Sequence, residues 1–82
     1  MDRPKYIAVD FDDTMFIRES WRNLKGEPNH KTINLIKKLH ERGWKIILWT
    51  SRNGNALDEA VKFCKDNHIH LDFINENPEA IE

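Results

Sequence analysis

The sequence has 82 residues, a net charge of -1 and 33% charged residues, with basic and acidic side chains mixed along the chain. This length predicts one small domain over residues 1–82, and the even charge distribution gives no basic stripe of the kind that binds nucleic acid. The single cysteine excludes an internal disulfide, and no apolar run is long enough for a signal peptide or a membrane span, so we expect a cytoplasmic protein with no membrane partner.

The first predicted element is a strand over residues 5–11 (KYIAVDF). Its apolar residues form a near-continuous run, which is typical of a parallel strand covered on both faces. Residues 15–29 follow with weak periodicity and a turn-rich end. This pattern indicates a loop or a small irregular hairpin.

Two amphipathic helices are predicted next. Apolar residues recur at helical spacing over residues 30–42, where Asn29 is suited to the N-cap and Gly43 to the stop. The same spacing recurs over residues 56–67, and it places Cys64 on the apolar stripe as a small buried thiol.

Each predicted helix is followed by a short apolar strand, over residues 45–50 and 69–74. The order strand, helix, strand, helix, strand corresponds to two right-handed βαβ units. We therefore expect an α/β fold with a three-stranded parallel sheet. Polar residues follow all three strands, and the carboxyl ends of parallel strands lie on one rim, where ligands bind.

The first strand ends in two carboxylates, Asp10 and Asp12, separated by one residue. Two close carboxylates repel each other, so each needs a cation or a shared proton, and Mg²⁺ is a suitable hard cation. One carboxylate beside such an ion can attack phosphorus while the other exchanges a proton with the leaving group. The alternative is that these residues only form a hydrogen-bonded turn.

The second strand ends in Thr50 and Ser51, with Gly54 close behind. A hydroxyl at a strand end, next to the N–H groups that precede a helix, can bind a phosphate group. The alternative is that Thr50 only caps the loop. Arg52 is suited either to contacting a phosphate or to capping the same loop.

Two segments carry a family resemblance. Ile7 to Thr14 (IAVDFDDT) resembles the first motif of the haloacid dehalogenase superfamily, an apolar strand followed by D-x-D-x-T. Ile46 to Thr50 (IILWT) resembles the second motif, an apolar strand that ends in Thr or Ser. The whole chain looks like a compact, nearly capless branch of small phosphatases with a Rossmann-like core.

The resemblance implies a Mg²⁺-dependent hydrolase that cleaves a small phosphomonoester. Asp10 would be the nucleophile that forms an aspartyl-phosphate, and Asp12 the general acid and base. Asp10 and the backbone carbonyl of Asp12 would bind Mg²⁺. Thr50, with Ser51 beside it, would hold the transferring phosphoryl group.

The superfamily also uses a late Lys and a late acidic residue or pair, and neither can be assigned here. The sequence reaches Glu82 soon after the third predicted strand, which corresponds to a truncated core. The first strand would then be an exposed edge, and an apolar edge invites another chain. We therefore expect a homodimer or other homo-oligomer through that edge.

Two further functions compete with the phosphatase. A non-catalytic remnant that binds metal or self-associates would also keep the first two motifs and lack the late ones. A receiver-like phosphoacceptor is less suited, because it needs an acidic pair ahead of its phosphorylated Asp and a late Lys.

Overall fold

The computed structural model describes residues 5–20 and 23–76. Its elements in chain order are β1 (Tyr6–Asp10), β2 (Phe16–Ser20), β3 (Asn23–Pro28), α1 (His30–Glu41), β4 (Lys45–Trp49), α2 (Gly54–Asp66) and β5 (Phe73–Ile74). Within these residues, neither helix has the length and apolar character that crossing a membrane requires.

The α/β fold predicted from the sequence is confirmed. A three-stranded sheet has the order β1-β4-β5, and both strand pairs are parallel. β1 and β4 are in register from Tyr6 opposite Lys45 to Asp10 opposite Trp49. β1 is the outer strand of this sheet among the described residues, as expected.

Both helices pack on the same face of the sheet. The core joins strand residues Val9, Ile46 and Leu48 to the buried residues of the helices, which are Ile33 and Ile36 of α1 and Ala60 and Cys64 of α2. Alternate residues of a strand point to opposite faces, so these strand residues share one face. Burial of these apolar side chains is the main force that holds the fold together.

The opposite face of the sheet is only partly covered, which corrects the expectation of a first strand buried on both sides. Ala8 is exposed, and Trp49 retains 46% of its accessible surface. Ile47 is buried on this face, where the rings of Tyr6 and Phe73 lie 6.0 Å apart on the strands either side of it. An apolar β1 sequence therefore does not imply two covered faces here.

Residues 15–29, read from the sequence as a loop or irregular hairpin, contain a defined antiparallel hairpin, β2–β3. The hairpin forms its own two-stranded sheet. At Gly26 strands β2 and β3 approach so closely that a Cβ on this residue would overlap the backbone of Ile17 and Arg18. Glycine at this position is therefore what allows β3 to lie against β2.

The predicted helix limits are confirmed to within two residues. Asn29 caps α1, since its side chain accepts a hydrogen bond from the Thr32 N–H at 3.4 Å. Gly43 follows with a φ of 93°, a left-handed conformation that ends the helix at little steric cost. The third predicted strand is wrong in extent, because only Phe73 and Ile74 pair with β4.

Candidate functional site

A cavity of about 160 Å³ lies at the carboxyl ends of β1 and β4. Six residues line it: Asp10, Phe11, Asp12, Trp49, Thr50 and Ser51. All four residues selected from the sequence, the two carboxylates and the two hydroxyls, therefore meet at one place. Their chemical roles stay predictions.

A tight turn after β1 places the two carboxylates. The carbonyl oxygen of Phe11 accepts hydrogen bonds from the N–H groups of Thr14, Met15 and Phe16, at 3.3, 3.0 and 3.1 Å. The Phe11 side chain is buried, with 2% of its surface exposed. Because Phe11 points into the core, Asp10 and Asp12 on either side of it are left at the rim.

Thr50 is fixed by contacts on both sides. Its N–H donates to the Oδ1 of Asn75 at 2.8 Å, which ties the end of β4 to the residue after β5. Its Oγ1 accepts a hydrogen bond from the Arg52 N–H at 3.1 Å. A hydroxyl has one donor and two acceptor positions, so Thr50 can still donate its proton to a ligand in the cavity.

Arg52 forms an ion pair with Asp12 across the rim. Its Nη2 donates to Oδ1 at 2.6 Å, and its Nε donates to Oδ2 at 3.0 Å. The guanidinium carbon lies 4.7 Å from the ring centre of Phe11 and 5.7 Å from that of Phe16. The Arg52 side chain is 8% exposed, so this cation is packed into the wall behind Asp12.

A second arginine pairs with the neighbouring carboxylate. The Nη2 of Arg18, on β2, donates to the Oδ2 of Asp13 at 2.7 Å. The hydrogen bond from the Arg18 side chain holds the pKa of Asp13 below its ordinary value of 3.8. Asp13 has a φ of 62°, a left-handed conformation that Asp tolerates better than most residues. The pair attaches the hairpin to the turn after β1.

The donor set can be compared with what Mg²⁺ requires. This ion is usually held by one or two carboxylates together with waters and phosphate oxygens. Asp10 is exposed and makes no ion pair within the described residues, whereas both carboxylate oxygens of Asp12 are engaged by Arg52. Over residues 5–20 and 23–76 no three Asp, Glu, His or Cys side chains are grouped so as to hold a metal. Asp10 is therefore the carboxylate of the two that is left without an ion pair in this part of the chain, and Mg²⁺ binding by Asp10 and the backbone carbonyl of Asp12 stays a prediction.

Sequence reasoning missed two features of the site. The partner of Arg52 is a carboxylate 40 residues earlier, a distance over which no periodicity gives a signal. The partner of Asp13 depends on the hairpin, which the sequence indicated only weakly. Asn75 directly follows the third predicted strand, which ends at residue 74, and its contact with Thr50 confirms that the second and third strand ends share one rim.

The chain matches no protein-family model and no curated protein. It is similar to the solved structure of a conserved protein from Bacteroides thetaiotaomicron, with a TM-score of 0.78 and 31% sequence identity. The similarity covers 98% of this chain but 65% of that protein, so the chain spans slightly less than two thirds of its length. The comparison establishes a shared fold over nearly the whole chain.

Proposed function

We propose that the chain is a Mg²⁺-dependent phosphatase of the haloacid dehalogenase type, acting on small phosphomonoesters. The observation that carries the proposal is the cavity where Asp10, Asp12 and Thr50 meet at the carboxyl ends of two adjacent parallel strands. This is the position at which ligands bind in α/β sheets. Asp10 lines this cavity, is exposed and makes no ion pair within the described residues, so its carboxylate is accessible to a substrate.

In the first step, a carboxylate oxygen of Asp10 attacks the phosphorus of the substrate. The bond between phosphorus and the ester oxygen breaks, and its electron pair goes to the departing oxygen. A proton carried by Asp12 goes to that oxygen when the leaving group is a poor one. The products are an alcohol and an aspartyl-phosphate on Asp10.

In the second step, a water oxygen attacks the phosphorus of the aspartyl-phosphate, and Asp12 takes the water's proton. The bond between phosphorus and the Asp10 oxygen breaks, its electron pair returns to the carboxylate, and inorganic phosphate leaves. Thr50 would donate its hydroxyl proton to a phosphoryl oxygen throughout. Bound Mg²⁺ would supply positive charge that offsets the negative charge of the phosphoryl oxygens.

The test is hydrolysis of p-nitrophenyl phosphate with Mg²⁺ by the wild type and by Asp10→Asn. The substitution keeps the size of the side chain and removes the nucleophile. We expect Mg²⁺-dependent turnover that disappears in Asp10→Asn. Equal rates in the two proteins would overturn the proposal.

One observation favours a second candidate, a non-catalytic module that binds a divalent cation or associates with itself. Within the part of the chain that the structure describes, the site lacks a third acidic, histidine or cysteine ligand. Such a module would bind Mg²⁺ weakly and show no turnover that depends on Asp10. Isothermal titration with Mg²⁺ together with the hydrolysis assay separates the two candidates.

We also propose that the chain forms a homodimer through the edge of β1, in the cytoplasm. The support is that β1 is the outer strand of the described sheet and that Ala8 on its uncovered face is exposed. An unpaired apolar edge is a template for another strand. Light scattering at micromolar concentration should give the dimer mass, and a monomer would contradict this. Ala8→Lys should weaken the dimer, because a charged side chain on an edge strand opposes pairing with another strand.

A further inference from the structure

We propose that Arg52 is a positioning residue for Asp12: it fixes the carboxylate as the base that activates water against the aspartyl-phosphate. This inference rests on the proposed function, and it adds a residue to which the resemblance assigns no role. It starts from the geometry of one ion pair, in which Arg52 donates to both oxygens of Asp12 at 2.6 and 3.0 Å.

Two parallel hydrogen bonds from a planar guanidinium hold a carboxylate in one orientation, which a single bond does not do. A carboxylate whose rotation is stopped in this way can keep one edge directed into the cavity. Asp12 lines that cavity and retains 23% of its side-chain surface. It is therefore accessible to water on one side while Arg52 occupies the other.

The guanidinium itself is fixed by packing. It lies against the rings of Phe11 and Phe16, and its Nη1 donates to the Ala56 carbonyl in the first turn of α2 at 3.4 Å. Contacts of a cation with aromatic faces add to this restraint. Because the guanidinium contacts Asp12, the two rings and the Ala56 carbonyl at once, its position is fixed. It can therefore hold Asp12 in place, and it is not free to leave Asp12 and bind phosphate.

The fixed orientation matters most in the second step. There an Asp12 oxygen must face the water that attacks phosphorus and take the proton of that water. The p-nitrophenolate leaving group departs without a proton, so with that substrate the first step does not need Asp12. Loss of the Arg52 guanidinium should therefore slow the hydrolysis of the aspartyl-phosphate and leave the rate of its formation little changed.

Rapid-mixing kinetics with p-nitrophenyl phosphate test this in Arg52→Gln and Arg52→Lys. In Arg52→Gln we expect a burst of nitrophenolate close to one per chain, at a rate near that of the wild type. The steady-state rate should fall by about 10- to 100-fold, a part of what a positioned general base contributes. Arg52→Lys keeps the charge and should recover part of the steady-state rate.

Arg18→Gln is the matched control, because the Arg18 guanidinium donates to Asp13 at 2.7 Å and approaches the Oδ1 of Asp12 only to 3.9 Å, too far for a hydrogen bond that would orient this carboxylate. Arg18→Gln should not slow the steady-state rate relative to the burst rate. An equal fall of both phases in Arg52→Gln would assign Arg52 a purely structural role and overturn the inference, as would no change in either phase. Wild-type protein without turnover that depends on Asp10 would instead overturn the proposed function, and the inference with it.

Discussion

The guanidinium of Arg52 and the carboxylate of Asp12 are joined by two hydrogen bonds, at 2.6 and 3.0 Å, that connect the loop after β4 to the loop after β1. The pair is largely withdrawn from solvent, with side chains 8% and 23% exposed. We therefore expect the coupling free energy between the two groups to exceed that of a surface ion pair, which is usually below about 1 kcal/mol. The pair also holds together the two loops that carry the candidate catalytic residues.

We expect a double-mutant cycle to show this coupling. Arg52→Gln and Asp12→Asn should each lower the free energy of unfolding, and the double variant should lose less than the sum of the two. The coupling should be about 1–3 kcal/mol, the range for hydrogen bonds to charged groups. Urea denaturation measures it, and the same cycle on Arg18 and Asp13, an exposed pair, should give a smaller value. Additive losses for Arg52 and Asp12 would contradict the contact.

The affinity of the site for phosphate should depend on the hydroxyl group of Thr50. Thr50→Val removes the donor to the phosphoryl group while keeping the shape, and we expect affinity for inorganic phosphate to fall by about 10-fold or more. It also removes the acceptor of the Arg52 N–H, which the structure places at 3.1 Å. Thr50→Ser keeps both functions and serves as the control. Calorimetric titration would count against the assignment if Val and Ser variants bound phosphate equally.

The Asp13–Arg18 pair should affect the titration of Asp13 and the stability of the fold at acid pH. The hydrogen bond from Arg18 lowers the pKa of Asp13 in the folded chain below 3.8. Since the folded value lies below the unfolded one, the pair stabilises the fold above the unfolded pKa, and this contribution is lost as pH falls through the folded pKa. Carboxyl ¹³C NMR should show the pKa of Asp13 moving back up in Arg18→Gln. An unchanged titration would mean that the hairpin is not attached through this pair.

Cys64 should be unreactive until the chain opens. Burial in the core raises the pKa of its thiol from 9.0 to about 11. The unfolded chain therefore loses this proton first, and stability should decline as pH rises between those two values. Titration of the thiolate absorbance reports the folded pKa, and labelling by a disulfide reagent at pH 8 should be slow. Rapid labelling without denaturant would contradict the burial of Cys64. The control is Cys64→Ala, in which the free energy of unfolding should not show the decline at alkaline pH that this thiol causes.

The sequence predicted those parts of the fold that depend on short-range patterns. Helical periodicity and the Asn29 cap gave α1 almost to its ends, and the apolar runs gave β1 and β4. The third strand was predicted too long, because local hydrophobicity does not reveal that pairing with β4 is confined to two residues.

The candidate site was predicted to the extent that it follows from parallel strands ending at one rim. Asp10, Asp12, Thr50 and Ser51 meet there because β1 and β4 are neighbours in register. The two arginine contacts were beyond prediction, because they depend on side chains brought together by the completed turn and hairpin.

The most direct test of the account is to look for the phosphoryl group on Asp10. Wild-type protein would be mixed with p-nitrophenyl phosphate and Mg²⁺, quenched in acid within milliseconds, digested and analysed by mass spectrometry, with Arg52→Gln as the variant expected to accumulate more of the intermediate. We expect an acyl phosphate on the peptide that contains Asp10, at the Asp10 side chain, and none in Asp10→Asn. Turnover with the phosphoryl group on another residue, or on none, would contradict the account.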